Sequence, residues 1–352
     1  MNIGQPELRV PPSTNRGAQN TETQILIDWV AFTLPDTINP IEIASSLFHT
    51  TLDEFLLCER GMLGYQTQYR LDNMVILTDG KQGMGTHVIL SGSGCRLLES
   101  SVLLPNGLNW RDWLSSVLSL GAKFTRCDIA IDEFSGVLNV HRVADFVRSG
   151  LVRTRFRKPM IQEGISVGNG VASSDGVTVY FGSPQSKIRV RFYDKAAEQS
   201  LDTVWNRCEL QTRDSRSQAL VNLFCNGLEL GSVVRGVLAS YIAFVDDKSS
   251  DSNFSRRSVV SWWDGFLLGV SRLKLTIPKS DKSIDDILSH FSHQYAPLLG
   301  SILSGFGDFE SLHHWIDSVA RIGIKRMKSK HFILAKSLDE SRILSNLLVT
   351  VA

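Results

Sequence analysis

Cysteine is scarce and badly placed for structural work. Cys58, Cys95, Cys127, Cys208 and Cys225 are odd in number, scattered over 352 residues, and form no Cys-x-x-Cys pair. That excludes a disulfide framework or a cysteine zinc site and predicts reduced thiols in a cytoplasmic protein. Long apolar runs are also missing. None reaches the roughly 18 residues of a membrane-spanning helix, so no membrane association is expected. Residues 1–22 are polar and carry no apolar h-region, which predicts a flexible arm and not a secretory signal. Charge of one sign is missing as well: the net charge is +1, so any hold on a polyanion must come from local patches. None of the eight histidines stands two residues from another, which removes a His-x-His metal motif. His313 and His314 are adjacent and project about 100° apart on a helix, so they make no chelating pair. There is no GxxxxGK[ST] motif, which excludes P-loop ATP chemistry. GMGTH and SGSGC lack dinucleotide-motif spacing.

What is present is a series of short β-branched and aromatic runs interleaved with amphipathic ones. Ile25–Pro35 reads as a strand with Leu26, Asp28, Val30 and Phe32 on one face. Residues 39–57 read as a helix burying Ile41, Ala44, Leu47 and Phe48. Strands follow at Tyr65–Leu71, Met74–Gly80 and His87–Cys95, the last closed by a Gly-Ser turn. Asn109–Leu120 reads as an amphipathic helix burying Trp110, Trp113, Leu114 and Val117. Phe124–Phe134 is a strand and Val140–Ser149 a helix. Thr178–Ser183, the run opening at Lys187, and Trp205–Arg213 complete the strands. The predicted class is α+β, a largely antiparallel sheet covered by helices with a mostly helical C-terminal region. A polar, Ser-rich stretch at 246–258 separates a domain over 23–245 from a helical region over 246–352. ILIDWVAF and CDIAIDEF resemble each other weakly, through duplication or through shared strand chemistry.

Lys187–Gln199, KIRVRFYDKAAEQ, reads as a strand running into a helix. Side chains two apart share a face, so Arg189, Arg191 and Tyr193 stand together, with Lys195 just beyond. A phenol beside fixed cations suits attack on a phosphate ester, and the same cations equally suit pairing with Asp194 and Glu198 on a surface. On the CDIAIDEF strand Asp128 and Asp132 share a face, with Ala130 between them, and Glu133 sits at the end. On RCELQTR the polar face is Arg207, Glu209, Gln211 and Arg213. Such a face is either solvated or a site. Asp128, Asp132 and Glu209 are the acids that Mg²⁺ or Mn²⁺ would take. Basic runs at Arg153, Arg155, Arg157 and Lys158, and at Lys325, Arg326, Lys328 and Lys330, could track a phosphate backbone or form charged surface. Arg213 joins them as a candidate DNA contact.

SGSGCR (91–96), FTRCDIAIDEFSG (124–136), VTVYFGSPQSKIRVRFYDKAAEQ (177–199) and WNRCELQTR (205–213), in that order, resemble the Rep_trans replication initiation factors. These include rolling-circle initiators of plasmids, relaxases of integrative conjugative elements, and replication proteins of filamentous phages. The resemblance implies a strand transferase that nicks an origin by transesterification and later religates it. It places the nucleophile at Tyr193 and the divalent ion on Asp128, Asp132 and Glu209, with Asp28 or Glu133 as replacements. Tyr180 is the second candidate phenol, without the arginine fence. The resemblance also implies a homodimer, origin-hairpin recognition through the C-terminal part, and a host helicase as partner. The alternative is a DNA-binding repressor or architectural factor without catalysis.

Overall fold

The computed structural model describes residues 23–168, 171–247, 253–269, 273, 275 and 284–327. The strands are β1 (Thr23–Leu34), β2 (Leu56–Cys58), β3 (Thr67–Leu71), β4 (Met74–Thr78), β5 (Thr86–Ser91), β6 (Lys123–Glu133), β7 (Val152–Thr154), β8 (Met160–Gly168), β9 (Val171–Phe181), β10 (Ile188–Asp194), β11 (Asn206–Arg213) and β12 (Ile242–Phe244). The helices are α1 (Pro40–Phe48), α2 (Ser93–Leu98), α3 (Trp110–Ser119), α4 (Val140–Arg148), α5 (Lys195–Glu198), α6 (Ser215–Cys225), α7 (Leu230–Tyr241), α8 (Ser261–Leu267), α9 (Ile284–Phe306) and α10 (Phe309–Ile324). Asn39 with Glu42, and Asn109 with Asp112, form capping boxes that start α1 and α3. Each satisfies backbone donors that a helix start leaves orphaned.

Ten strands form one antiparallel sheet in the order β2-β3-β4-β5-β1-β6-β11-β10-β9-β8, and β7 pairs with β12 separately. The fold is α+β, as the patterning predicts. One face of the large sheet carries the main core, where Phe32, Val88, Cys127, Ile129, Val190 and Leu210 meet the apolar sides of α1, α3, α4, α6 and α7.

The strand order contains a repeat. In each half a first strand leads through a helix to a four-stranded meander whose last strand returns to pair with the first: β1 with β5, β6 with β11. The halves join at β1 and β6, where Val30 stands opposite Cys127. Trp29 then faces Asp128 as Ala31 faces Arg126, so the pairing is symmetric about that point. Both returning strands turn a corner into a helix at a left-handed residue, Gly92 (φ 42°, ψ −101°) and Asp214 (φ 48°, ψ −126°). The two strands are thus structurally equivalent, but in a different register from the weak likeness of ILIDWVAF and CDIAIDEF, which is shared strand chemistry. Val30 corresponds to Cys127 and Asp28 to Thr125, and Ile25 does not match Cys127.

Several local expectations shift. α1 stops at His49 (φ 51°), well before residue 57, and its buried set includes Ile43 while Ile41 is 64% exposed. Ser93, expected in the Gly-Ser turn that closes the strand, begins α2. In β1 the register slips between Ile27 and Trp29, making Asp28 a bulge residue. Ile27, Val30 and Phe32 consequently enter the core, and Asp28 leaves the face that strict alternation assigns it.

The chain divides into two compact units, residues 1–277 and 278–352. The polar stretch around 246–258 lies inside the first: Asp246 N–H donates to Ser258 O, and Val245 bridges Val259. In the second unit α9 packs on α10. Among the described residues no helix is long and apolar enough to cross a membrane.

Candidate functional site

The face of β6, β10 and β11 turned away from the helices is polar, and the register stacks it in rows. Tyr193, Arg207 and Asp132 form one row; Arg191, Glu209 and Ala130 the next; Arg189, Gln211 and Asp128 a third; Arg213 faces Arg126 at the end. This face is buried, not solvated: Asp132 is 0%, Asp128 2% and Glu209 9% exposed. Withdrawing charges from water costs several kcal/mol per ion, by order of magnitude, unless they are well paired. The pairing is close. Arg207 donates to both Asp132 oxygens at 2.5 and 2.7 Å. Arg126 donates to Asp128 at 2.5 and 3.1 Å, and Arg191 to Glu209 at 2.6 Å. Among the described residues no three His, Cys, Asp or Glu side chains are drawn together as a metal centre.

The bulge in β1 brings Asp28 to this face, where its carboxylate lies 3.7 Å from Arg207. Beside it opens a cavity of about 340 Å³. Its wall holds three carboxylates (Asp28, Asp128, Glu209), three guanidinium groups (Arg126, Arg189, Arg191) and two aromatic rings (Trp29, Tyr180), with Ser91 and Gly92 at the edge. Arg126 lies over the Trp29 ring at 3.8 Å and Arg189 over the Tyr180 ring at 4.4 Å. Burial, with Glu209 and Asp28 adding to it, pushes the Asp128 carboxyl up to about 7 against the pull of Arg126. Among the described residues Arg189 pairs with no carboxylate, and its Nε has no hydrogen-bond partner.

Tyr193 sits one row from the cavity, 5% exposed. Its surroundings are charged, not aliphatic: the Arg191 guanidinium lies 4.2 Å and the Lys195 ammonium 5.7 Å from its ring centroid. Burial pushes the phenol up, while Arg207 and Arg191 pull it down by less. Lys195 pairs with Glu198, and Asp194 caps Ala197 N–H. Tyr180 does have an arginine beside it, contrary to the expectation from sequence, because Arg189 covers its ring and Arg191 faces it across the strands.

Glu133 lies outside the site. It accepts from the backbone N–H groups of Ser135, Gly136 and Leu138 and shapes the turn after β6. Arg153 donates to the Ser255 carbonyl, and Arg155 lies 5.3 Å from the Tyr241 ring. Arg157, Lys158, Lys325 and Arg326 are exposed. Lys328 and Lys330 fall outside the described residues. Sequence reasoning missed Arg126 and Trp29. Arg126 shares strand parity with Asp128 and was legible; Trp29 reaches the site only through the bulge.

Two family models match the chain, one on each side of the start of β6. The model of the replication initiation factor family matches residues 122–312. The model of the rolling circle replication initiation protein N-terminal domain matches residues 24–116. A relative in Bacillus subtilis (strain 168), whose name assigns it provisionally as the DNA relaxase NicK, is 27% identical over 296 residues, 78% of this chain and 82% of that protein. The solved structure of a rolling circle replication initiator protein from Geobacillus stearothermophilus superposes with a TM-score of 0.65 at 29% identity, covering 72% of this chain and all of that one.

Proposed function

The chain belongs to the replication initiation factor family, and from that premise we propose that it nicks one strand of an origin by transesterification and later reseals it. One observation carries the reading: a buried face on which arginines from three strands surround both a phenol and a cavity with an unpaired guanidinium. A phosphodiester is an anion, and preorganised guanidinium groups bind it and stabilise the charge that develops on its oxygens.

In this reading Tyr193 Oη attacks phosphorus. The Oη–P bond forms as the P–O3′ bond breaks, leaving a 5′-phosphotyrosine ester and a 3′ oxygen that takes up a proton. A phenol is neutral near pH 7 and burial pushes this one further up, so its proton must leave to a base or to solvent as the bond forms. Arg191 and Arg207 then stabilise the phenolate-like oxygen. Arg189 holds a non-bridging phosphate oxygen.

The hard oxygen donors of Asp28, Asp128 and Glu209 face one cavity, the donor chemistry that Mg²⁺ or Mn²⁺ takes. Asp28, Asp128 and Glu209 would hold the ion, Asp28 standing where Asp132 was expected because Asp28 lines the cavity and Asp132 does not. Bound there, the ion supplies a positive centre beside the scissile phosphate. Recognition of origin DNA through the 246–352 region, assembly as a homodimer and recruitment of a helicase belong to the same proposal.

The test is a supercoiled origin plasmid incubated with Mn²⁺. Nicked circles carrying protein on the 5′ end support the enzyme; shifted but intact plasmid supports a binding protein without catalysis. Tyr193→Phe should lose the covalent adduct by at least about 10³-fold, on the scale of removing a nucleophile, and keep DNA binding. Tyr180 lines the cavity directly, which favours it as the rival phenol. An adduct lost in Tyr180→Phe and kept in Tyr193→Phe transfers the role.

A further inference from the structure

The two repeats share a device for holding a bulge. Each central strand carries one extra residue, Asp28 in β1 and Thr125 in β6. Each extra residue's carbonyl accepts the N–H of its corner residue at 2.8 Å, Gly92 to Asp28 and Asp214 to Thr125. In each repeat a side chain from the first turn of the following helix then reaches the residue before the bulge. In the second repeat this is neutral: Gln218 Oε1 accepts the Phe124 N–H at 2.9 Å. In the first repeat Arg96 donates to the Ile27 carbonyl at 2.5 Å.

That arginine needs a seat. Arg96 meets Glu99 Oε1 at 2.8 Å, and Trp110 Nε1 donates to the same oxygen at 2.6 Å. Glu99 is 1% exposed and begins a π-helical turn over Glu99–Leu103. Such turns occur often at functional sites. Burying an ion pair is weak as a source of stability, and the second repeat holds its bulge without one. The repeats differ in what the bulge carries. Thr125 is absent from the cavity wall, while Asp28 is one of its three carboxylates.

We propose that Arg96, seated by Glu99 and Trp110, is a positioning residue that fixes the β1 bulge so that Asp28 meets the divalent ion. This gives the SGSGCR segment a role: Gly92 and Arg96 hold the backbone on either side of one ligand. The inference rests on the reading of Asp28 as a ligand.

The decisive variant is Arg96→Gln with Glu99→Gln, which removes the guanidinium that holds the Ile27 carbonyl together with the carboxylate that seats it. Mn²⁺ binding is measured by the electron paramagnetic resonance of free Mn²⁺, on protein shown to be folded by thermal unfolding. Affinity should fall about 10–100-fold, the usual effect of losing an outer-shell support. Cleavage should recover as Mn²⁺ is raised, and metal-free DNA binding should be unchanged. A folded double variant that binds Mn²⁺ within twofold of wild type overturns the proposal. If the double variant does not fold, Trp110→Phe, which removes the indole donor, decides by the same readout: a severalfold loss supports the proposal and no loss overturns it. Asp28→Asn separates the two failures. If it binds Mn²⁺ normally, the ligand reading itself is wrong; if it loses Mn²⁺ while the double variant does not, only the positioning role is wrong.

Discussion

At the scale of single residues, the site is governed by buried charge. Arg207 holds Asp132 through two short bonds deep in the sheet. Arg207→Gln leaves that carboxylate buried without its cation, so unfolding in urea should show a loss of about 3–5 kcal/mol. Asp128 makes a prediction with a definite sign. Its folded pKa of about 7 lies above the value of about 3.9 expected in the unfolded chain. Between those limits the folded state holds a proton that the unfolded state has released. The stability contributed is therefore full below about pH 4, falls as pH rises to about 7, and stays low above it. Metal-free protein should lose stability from pH 5.5 to 8, and Asp128→Asn should flatten that slope; parallel slopes in urea melts of the two proteins would refute it. The polar faces of β6, β10 and β11 were legible from alternation alone, which put Asp128 with Asp132, Glu209 with Arg207, and Arg189 with Arg191 and Tyr193, strand by strand. That Asp28 reaches the cavity wall was not legible, since a bulge leaves no mark on a hydrophobic pattern.

At the scale of elements, the corners after β5 and β11 decide where the central strands bulge. Asp214 adopts φ 48°, ψ −126°, a conformation that glycine holds without strain, and the first repeat has Gly92 at the same place. Asp214→Gly should raise stability by up to about 1 kcal/mol, since its ion pair with Lys187 is long and exposed and backbone strain of this kind costs about 1–3 kcal/mol less the entropy glycine loses. An unchanged or lower urea midpoint would count against strain there. Helix α3 was read correctly down to Trp110, Trp113, Leu114 and Val117, because its 3.6-residue pattern is strong and both ends carry local signals. Helix α1 was overextended because its stop is a left-handed His49, which composition does not announce. The turn expected after β5 proved to be a helix start for a similar reason.

At the scale of the whole chain, two repeats share one sheet but not one chemistry. Above β4, β5 and β1 the same face holds an apolar cluster of Ala31, Tyr65, Val75, Leu77 and Ile89, where the second repeat carries arginines and acids. The chemistry should therefore survive loss of the second unit. Residues 1–277 alone should cleave a single-stranded oligonucleotide bearing the nick site at a rate within about tenfold of the full chain, the effect of at most about 1.4 kcal/mol on the barrier. Selection of origin over non-origin duplex should weaken. A truncated chain that folds and yet cannot cleave would place a required group beyond residue 277.

Side-chain alternation is a local property, written every second residue, so the sequence by itself determined which side chains of each strand share a face, the class of the fold and the Arg191–Tyr193 neighbourhood, while Arg189 sits over Tyr180 instead. Partners across strands are set by register and by bulges, which depend on corners and helices far along the chain. Only the tertiary structure could decide that Arg207 locks Asp132 away, that Asp28 and Trp29 turn into the cavity, and that Tyr180 stands at its wall.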